Sequence, residues 1–529
     1  MSQPYAEIDL HGSPPRVTFP RRYNAAVDLV DRHLAEGRAD RIAYRDDRSQ
    51  LTYRELAERV NRAGNALLNL GIQPEQRVVL LMLDTLDFPA VFLGALKIGA
   101  VPVPVSTLLT PEDIRYILED SRARAVIVSD ALYTKLAAAQ GGTLLQPCVL
   151  IASSPFGAGD VTSTLDDHLA RAGASLDAAP TTPDDVAFWL YSSGSTGAPK
   201  GTLHLHAHLL RTAVFYAQRV LGIREDDVVY SAAKLFFAYG LGNSLTFPLS
   251  VGATAVLTAD RPTPQVVARM MRERRPTIFC GVPTLFASLL ADPAFNEVSS
   301  ALRVSTSAGE ALPRHVGEAW LARFGTDILD GIGSTEMLHI FISNRPGNVK
   351  YGTTGMAVPG YELKLVGDDG EPVSESEEGS LWVRGLTAAP AYWNNRERSL
   401  ATFHGPWTRT GDRYVRDAEG YYTYSGRADD MLKVGGIWVS PFEVESALSA
   451  HASVLEAAVV GHPDQDGLVK PKAFVVLKGS AAGSDDLIEE LKQFVKGRLA
   501  PYKYPRWIEF VAELPKTATG KIQRFRLRG

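Results

Sequence analysis

Serine, threonine, glycine and lysine crowd into one short stretch, Tyr191–Gly201 (YSSGSTGAPKG), directly after the apolar run Val186–Leu190. That combination can hold phosphate. Small residues let backbone N–H groups approach anionic oxygens, and Gly194 and Gly197 keep the chain open. The hydroxyls of Ser192, Ser193, Ser195 and Thr196 add donors, and Lys200 supplies a positive charge. The stretch is not a Walker loop, because Pro199 stands where the second glycine of GxxxxGK[ST] belongs and Gly201 follows the lysine. Nor is it a nucleophile elbow, since Ser195 lacks the GxSxG frame. A plain surface turn would need no such density of hydroxyls and glycines around one cation.

Further segments follow in order: SAGE at Ser307–Glu310, GIGSTE at Gly331–Glu336, TGD at Thr410–Asp412, GRADDMLKVGGIWVSPFEVE at Gly426–Glu445 and PKTATGK at Pro515–Lys521. Together with the loop they resemble the signature of the adenylate-forming superfamily of acyl-CoA synthetases, adenylation domains and luciferases. The resemblance implies two half-reactions. A carboxylate attacks the α-phosphorus of ATP to give acyl-AMP and pyrophosphate, and a thiol then displaces AMP. Both partners in the first step are anions, so metal and cationic groups must offset their repulsion.

On this resemblance Mg2+ is the cofactor, ATP and CoA are co-substrates, and Glu336 is the metal ligand, a hard carboxylate of the kind Mg2+ takes in small number. Gly194–Lys200, including Ser195, Thr196 and Gly197, would hold the β- and γ-phosphates and Thr335 the α-phosphate, with Ser192 and Ser193 also among the ATP-binding residues. Asp412 would accept from the ribose hydroxyls, with Arg427 near the same sugar and phosphate. Glu310, Asp330 and Gly331 match positions around the adenine. Lys521 matches the lysine that meets the carboxylate and α-phosphate during adenylation, so the catalytic set is Lys521, Thr335 and Lys200. Asp429 matches the hinge between two domains that rotate between half-reactions, after which Gly435 and Gly436 would leave room for the pantetheine arm of CoA. Acetylation of Lys521 by an acetyltransferase would remove its charge and is expected to regulate the first step.

The acyl wall in this superfamily would fall on Phe236, Phe237, Ala238, Tyr239 and Gly240, on Val282 and Pro283, on Ser307, Ala308 and Gly309, and on Gly331, Ile332, Gly333, His339 and Ile340. Members that activate amino acids carry an Asp after the aromatic of the first segment; here Ala238 and Tyr239 follow Phe237, and an unpaired ammonium in an apolar pocket is penalised. A flat ring against Phe or Tyr suits this wall better than an amino acid. The stretch Ser334–Phe341 (STEMLHIF) resembles aryl-CoA ligases, the benzoate-CoA ligases most of all. An aryl-CoA thioester is the expected product, benzoate leads among the acids, and aminobenzoates and hydroxybenzoates stand beside it. A stand-alone domain that loads a carrier protein is the alternative. His204, His206 and His208 alternate as if on one strand face and invite a metal reading, but without accompanying carboxylates neutral, packed imidazoles are the simpler account.

Elements must hold these residues in place. Short β-branched runs such as Ala125–Ser129, Cys148–Ala152, Ala253–Leu257 and Ile278–Cys280 alternate with helical spacing, as in Tyr53–Leu70 with Thr52 as N-cap and Gly71 as stop. Parallel or mixed sheets covered by helices follow. Beyond about residue 350, Tyr361–Val366, Gly379–Val383 and Gly420–Ser425 read as strands of a β-rich subdomain. Val454–Val460, Ala473–Leu477 and a helix at Asp485–Arg498 make a small α+β unit. The expected fold class is thus α/β, with a large N-terminal domain at 1–428 and a small, mobile C-terminal domain at 429–529. The balance of 55 Lys+Arg against 60 Asp+Glu offers no broad basic field for nucleic acid or an anionic membrane. Cys148 and Cys280 are too few for a disulfide framework. The first twenty residues lack the apolar core of a secretory signal, so a cytoplasmic location is expected. The reading leaves room for a homodimer.

Overall fold

Runs of apolar residues with no alternation, such as Ala125–Ser129, can lie only in sheets covered on both faces, and that is where they are found. The computed structural model describes residues 4–141, 146–157, 164–192, 199–293, 295, 301–427, 430–434, 437–465, 468–479, 483–499, 503–516 and 522–528.

A nine-stranded sheet has Val228–Ser231 near its centre. Ile278–Gly281, Val304–Ala308 and Ile328–Gly333 lie to one side, and Thr254–Val256 and Ile42–Arg45 to the other, all parallel. Ile340–Ser343, Met356–Ala357 and Gln50–Thr52 close its edges antiparallel. A four-stranded parallel sheet carries Val101–Pro104, Arg77–Leu81, Ala125–Ser129 and Cys148–Ala152. The β-rich subdomain is a five-stranded antiparallel sheet that includes Tyr361–Val366, Glu378–Gly385, Trp407–Arg416 and Tyr422–Arg427. Its last strand begins later than expected because Gly420, at φ +88°, still belongs to the preceding turn.

Toward the C-terminus, Val454–Pro463, Val469–Leu477 and Trp507–Phe510 form a three-stranded sheet against the helices Pro441–Ser449 and Asp485–Lys496, around a core of Val444, Leu448, Val459, Val475 and Leu491. The expected boundary at 428/429 lies outside the described residues. Among the described residues no helix is long and apolar enough to cross a membrane. Cys148 is exposed and Cys280 buried, both free.

The helix Tyr53–Asn69 shows how local signals and packing agree. Thr52 accepts from Glu55 N at 3.2 Å while the Glu55 carboxylate accepts from Thr52 N at 2.7 Å, a reciprocal cap, and Gly71 at φ +79° ends the helix. Its buried stripe of Leu56, Val60, Ala63 and Leu67 meets the helix Asp87–Lys97. The two helices touch at a pair of glycines. A Cβ on Gly94 would lie 2.8 Å from both Gly64 N and Val60 O. Gly94→Ala is therefore expected to force the helices apart at a cost of about 1–3 kcal/mol, more than the helix propensity it gains. A higher urea midpoint than the parent's would contradict this.

The three histidines correct the expectation of one strand face. The strand Lys200–Leu205 ends before His206, which opens the helix His206–Thr212, so only His204 is on the strand. All three are buried. His204 stacks on Phe188 with centroids 5.0 Å apart, its Nδ1 lies 3.3 Å from His208 Nδ1, and His206 Nδ1 accepts from Ala25 N at 3.2 Å. Burial pushes His204 down to about 3 and His206 to about 4, which keeps them neutral.

Candidate active site

The antiparallel ribbon of Val186–Ser192 and Lys200–Leu205 pairs Ser192 with Lys200, so both ends of the glycine-rich loop stand side by side. Ser193, Gly194, Ser195, Thr196 and Gly197 lie outside the described residues. Lys200 is half-buried; burial pushes its ammonium down, opposed by Glu336. Its Nζ lies 3.5 Å from the Tyr392 hydroxyl and 4.5 Å from the centre of that ring. Tyr392 in turn donates to Glu336 Oε1 at 2.7 Å. The STE loop is held from within by Met337 N on Ser334 Oγ at 3.2 Å and by Leu338 N on Thr335 O at 3.1 Å, with Leu338 at φ +70°. It is held from outside by Ala389 N on Glu336 O at 2.7 Å. Thr335, Glu336 and Lys200 thus gather on one side of the sheet ends, as their motifs imply, and Tyr392 joins them unannounced by any motif.

Of the residues expected around the nucleotide, Glu310, Asp330 and Gly331 lie on or just past parallel strands, near the carboxyl ends where open α/β sheets place ligands, and Asp412 and Arg427 lie on two antiparallel strands of the β-rich sheet. Asp330 lies in the middle of the strand Ile328–Gly333, is buried, and has an Oδ1 with no partner among the described residues; burial pushes its carboxyl well above the usual range. It lines a cleft of about 420 Å³ with Ala311, Leu312, Thr354, Tyr424 and Phe442. Glu310 follows Gly309, whose φ of +99° turns the chain sharply off the strand Val304–Ala308. Asp412 and Arg427 are cross-strand partners, with Arg427 Nη1 3.3 Å from both Asp412 Oδ1 and Thr410 O. Gly411 sits at φ +79°, in the left-handed region that favours glycine, beside the Arg427 guanidinium.

The expected acyl wall is partly assembled. Phe236 and Phe237 pack edge to face at 4.4 Å, and Tyr239 reaches Thr306 Oγ1 at 2.5 Å. His339 sits among Phe247, Tyr216 and Tyr239, with ring centres 4.4, 5.5 and 5.5 Å away, and its Nε2 lies 3.3 Å from Tyr239 O. Burial pushes His339 down to about 3, so the ring is neutral. Glycines permit this packing. A Cβ on Gly333 would lie 2.6 Å from the His339 carbonyl, one on Gly331 would lie 3.0 Å from Ile342 O, and one on Gly240 would fall on the Lys234 carbonyl.

Two expected members stand elsewhere. Val282, followed by Pro283 at the start of its helix, packs into the cluster around Phe279, Phe286 and Trp320, whereas Tyr239, Ile332 and Ile340 belong to the main core. Ser307 is in register with Gly281 and Asp330, while Thr306 is in register with Cys280 and Leu329. Paired residues share a face and successive ones alternate, so the Ser307 side chain lies on Asp330's face and away from Tyr239, which reaches Thr306; Ala308, one residue on, returns to the Thr306 face beside Gly331.

Asp84 is a second residue that no motif announces. It is buried and accepts from Leu235 N at 3.2 Å, at the root of the aromatic wall, while Lys234 Nζ donates to Thr258 O and Asp260 O at 2.6 and 2.7 Å. Burial pushes the Asp84 carboxyl up to about 6 against the pull of Lys234. Because the folded state holds the proton more tightly, the stability Asp84 contributes is fully present below its unfolded value and lost as pH rises through about 6. Asp84→Asn, neutral throughout, is expected to gain about 2 kcal/mol relative to the parent between about pH 4.5 and 7.5. Urea unfolding of both proteins across that range checks it, and a difference independent of pH would contradict it.

Lys521, Asp429, Gly435 and Gly436 lie outside the described residues, but their flanks are ordered by pairing. Lys516 bridges to Ile522 and Gln523 N donates to Pro515 O at 2.7 Å, closing the neck of the segment that carries Lys521. Val434 pairs with Ile437 across the two glycines.

The comparisons with known proteins agree with this geometry. The family model of the AMP-binding enzyme matches residues 31–393, and that of the AMP-binding enzyme C-terminal domain matches 443–521. A benzoate–CoA ligase of Thauera aromatica is 57% identical over 523 residues, covering 98% of each chain. The crystal structure of a benzoate CoA ligase from Burkholderia xenovorans LB400 superposes with a TM-score of 0.89 at 54% identity, over 96% of this chain and 100% of that one. The anthranilate CoA ligase AuaEII in complex with anthranoyl-AMP gives 0.92 at 44% identity, over 96% and 97%. With matching models over both parts of the chain and relatives of this identity along nearly its whole length, the protein belongs to the AMP-binding, adenylate-forming enzyme family.

Proposed function

We propose that the protein is a benzoate–CoA ligase. Benzoate and ATP give benzoyl-adenylate and pyrophosphate, and the thiol of CoA then displaces AMP to give benzoyl-CoA. The observation that carries the choice of acid is the aromatic cluster of Tyr239, Tyr216 and Phe247 around a His339 kept neutral by burial, with Phe236 and Phe237 preceding Tyr239 in the chain and no acid in Leu235–Gly240 to receive an ammonium. Such a wall favours a flat, uncharged ring. The named substrates of the two ligases from Thauera and Burkholderia support the same acid.

Within this reading Lys200 and the loop before it hold the β- and γ-phosphates and Thr335 the α-phosphate. Asp330 receives the adenine amine on its unpartnered Oδ1, and Asp412 and Arg427 hold the ribose. The donor chemistry at Glu336 fits Mg2+, a hard carboxylate beside the phosphate loop, and among the described residues no group of three or more His, Cys, Asp or Glu competes with it. When bound there, Mg2+ would offset charge on the pyrophosphate. The division into 1–428 and 429–529, hinged at Asp429, would let Lys521 serve adenylation and Gly435 and Gly436 flank the pantetheine path in the second step. A cytoplasmic location matches the supply of ATP and CoA. Acetylation of Lys521 would arrest the first step, and fully acetylated protein with an undiminished adenylation rate would exclude this.

The test is AMP formation with ATP and Mg2+ over benzoate, hydroxybenzoates, aminobenzoates, phenylacetate and hexanoate, each with and without CoA. Turnover that depends on CoA and is fastest with benzoate supports the proposal. Preference for hexanoate would overturn the reading of the wall, and adenylate formation that CoA does not carry forward would overturn the acceptor.

A further inference from the structure

We propose that Tyr392 is a positioning residue of the pyrophosphate side of the site: its hydroxyl aims the Glu336 carboxylate, and its ring keeps the Lys200 ammonium apart from that carboxylate. The inference rests on the assignment of Glu336 as the Mg2+ ligand. Lys200 and Glu336 are opposite charges on neighbouring loops, and left alone they would pair. A Lys–Glu salt bridge would occupy both the group meant for phosphate and the group meant for the cation. Tyr392 stands between them: its hydroxyl donates to Glu336 Oε1 at 2.7 Å and accepts a long hydrogen bond from Lys200 Nζ at 3.5 Å, while that ammonium also lies 4.5 Å from the centre of the ring. It satisfies one carboxylate oxygen without adding charge, and its hydroxyl oxygen and ring together hold the ammonium without an ion pair.

The tyrosine can do this because its backbone is tied to both loops. Trp393 N donates to Gly201 O at 2.7 Å and Leu203 N to Ala391 O at 3.2 Å, so residues 391–393 lie along the edge of the Lys200–Leu205 strand. Three residues upstream, Ala389 N holds the Glu336 carbonyl. Trp393 locks the segment further, stacking on Trp189 at 4.7 Å and donating from its indole to Asp120 O at 2.9 Å. One short segment therefore sets the distance between the phosphate loop and the STE loop. Tyr392 is the side chain that spans it.

Tyr392→Phe keeps the ring and removes the hydroxyl. Equilibrium binding of ATP, followed by calorimetry across a Mg2+ titration, reads the effect without turnover. The Mg2+ concentration at half-saturation is expected to rise about five- to twenty-fold, as for loss of a hydrogen bond to a charged group. The KM for Mg·ATP rises with it. Thioester formation from added benzoyl-adenylate, a step after pyrophosphate has left, is the control for folding and falls by less than about two-fold. Glu336→Gln shifts the same midpoint further, and the double variant is no worse than Glu336→Gln alone, because the two act as one unit. A midpoint moved by Glu336→Gln but not by Tyr392→Phe overturns the inference. Equal losses in both half-reactions do the same. If Glu336→Gln itself leaves the midpoint in place, the metal assignment falls and this inference with it.

Discussion

Lys521→Ala is expected to slow formation of benzoyl-adenylate by about 10²–10³-fold, the usual cost of removing one preorganised charge-stabilising group. CoA thioester formation from added benzoyl-adenylate should fall by no more than a few-fold. The asymmetry follows from charge. In the first step a carboxylate must approach a phosphate ester, and an ammonium poised between them stabilises the negative charge that accumulates. In the second step the attacking group is a thiol and the adenylate is already made. Three described cations near Lys521 in the chain already have partners. Lys516 is paired with Glu456 at 2.7 Å, Arg524 with Glu445 at 2.6 Å, and Arg528 with Asp430, so the neighbouring cations are engaged elsewhere. Single-turnover measurement of each half-reaction checks the ratio. A loss of equal size in both would remove Lys521 from its assigned role.

What could be read from the sequence depended on how far apart the interacting residues stand along the chain. The cap of Tyr53–Asn69 is legible because Thr52 and Glu55 are neighbours on one turn, and Ala125–Ser129 and Tyr361–Val366 because a strand declares itself within five or six residues. The motifs named Lys200 and Glu336, which Tyr392 brings together, and Asp412 and Arg427, which are cross-strand partners. Tyr392 and Asp84 escaped because their meaning lies in partners 56 and 151 residues away, and nothing in YWNN or LDTLDF marks them locally. The only signal was an aromatic pair, Tyr392–Trp393, ahead of a polar stretch. His204, His206 and His208 misled because alternation has meaning only while the strand lasts, and it stops at Leu205.

The largest effect on stability is expected at Glu445, where a buried ion pair ties Arg524 to the helix Pro441–Ser449. Arg524 grips the Glu445 carboxylate in two places, Nε at 2.9 Å and Nη2 at 2.6 Å, and reaches Asp430 at 3.5 Å. Glu445 also accepts from Val459 N at 2.7 Å, so one side chain joins the helix Pro441–Ser449, the strand Val454–Pro463 and the segment that follows Lys521. Its burial makes the pair costly to break. Glu445→Ala leaves a guanidinium and a backbone N–H without their acceptor, a loss of about 3–5 kcal/mol. That is a large share of the 5–15 kcal/mol that typically holds a domain, so the C-terminal region should open locally while the main sheets stay folded. Hydrogen exchange should then accelerate over 441–528 and not over the strands around Val228–Ser231. Adenylation should drop as well if Lys521 acts as proposed, because Arg524 follows it by three residues in the chain. Removing both charges together, as Glu445→Leu with Arg524→Met, separates the two effects: an apolar pair of similar volume restores most of the protection. It does not restore the tie to Asp430, the residue beside the proposed hinge, so the balance between the two half-reactions should remain altered in the double variant. Unchanged exchange in Glu445→Ala would show that the pair is dispensable, and a double variant with the parent's ratio of half-reactions would show that it stabilises the C-terminal region without governing its movement.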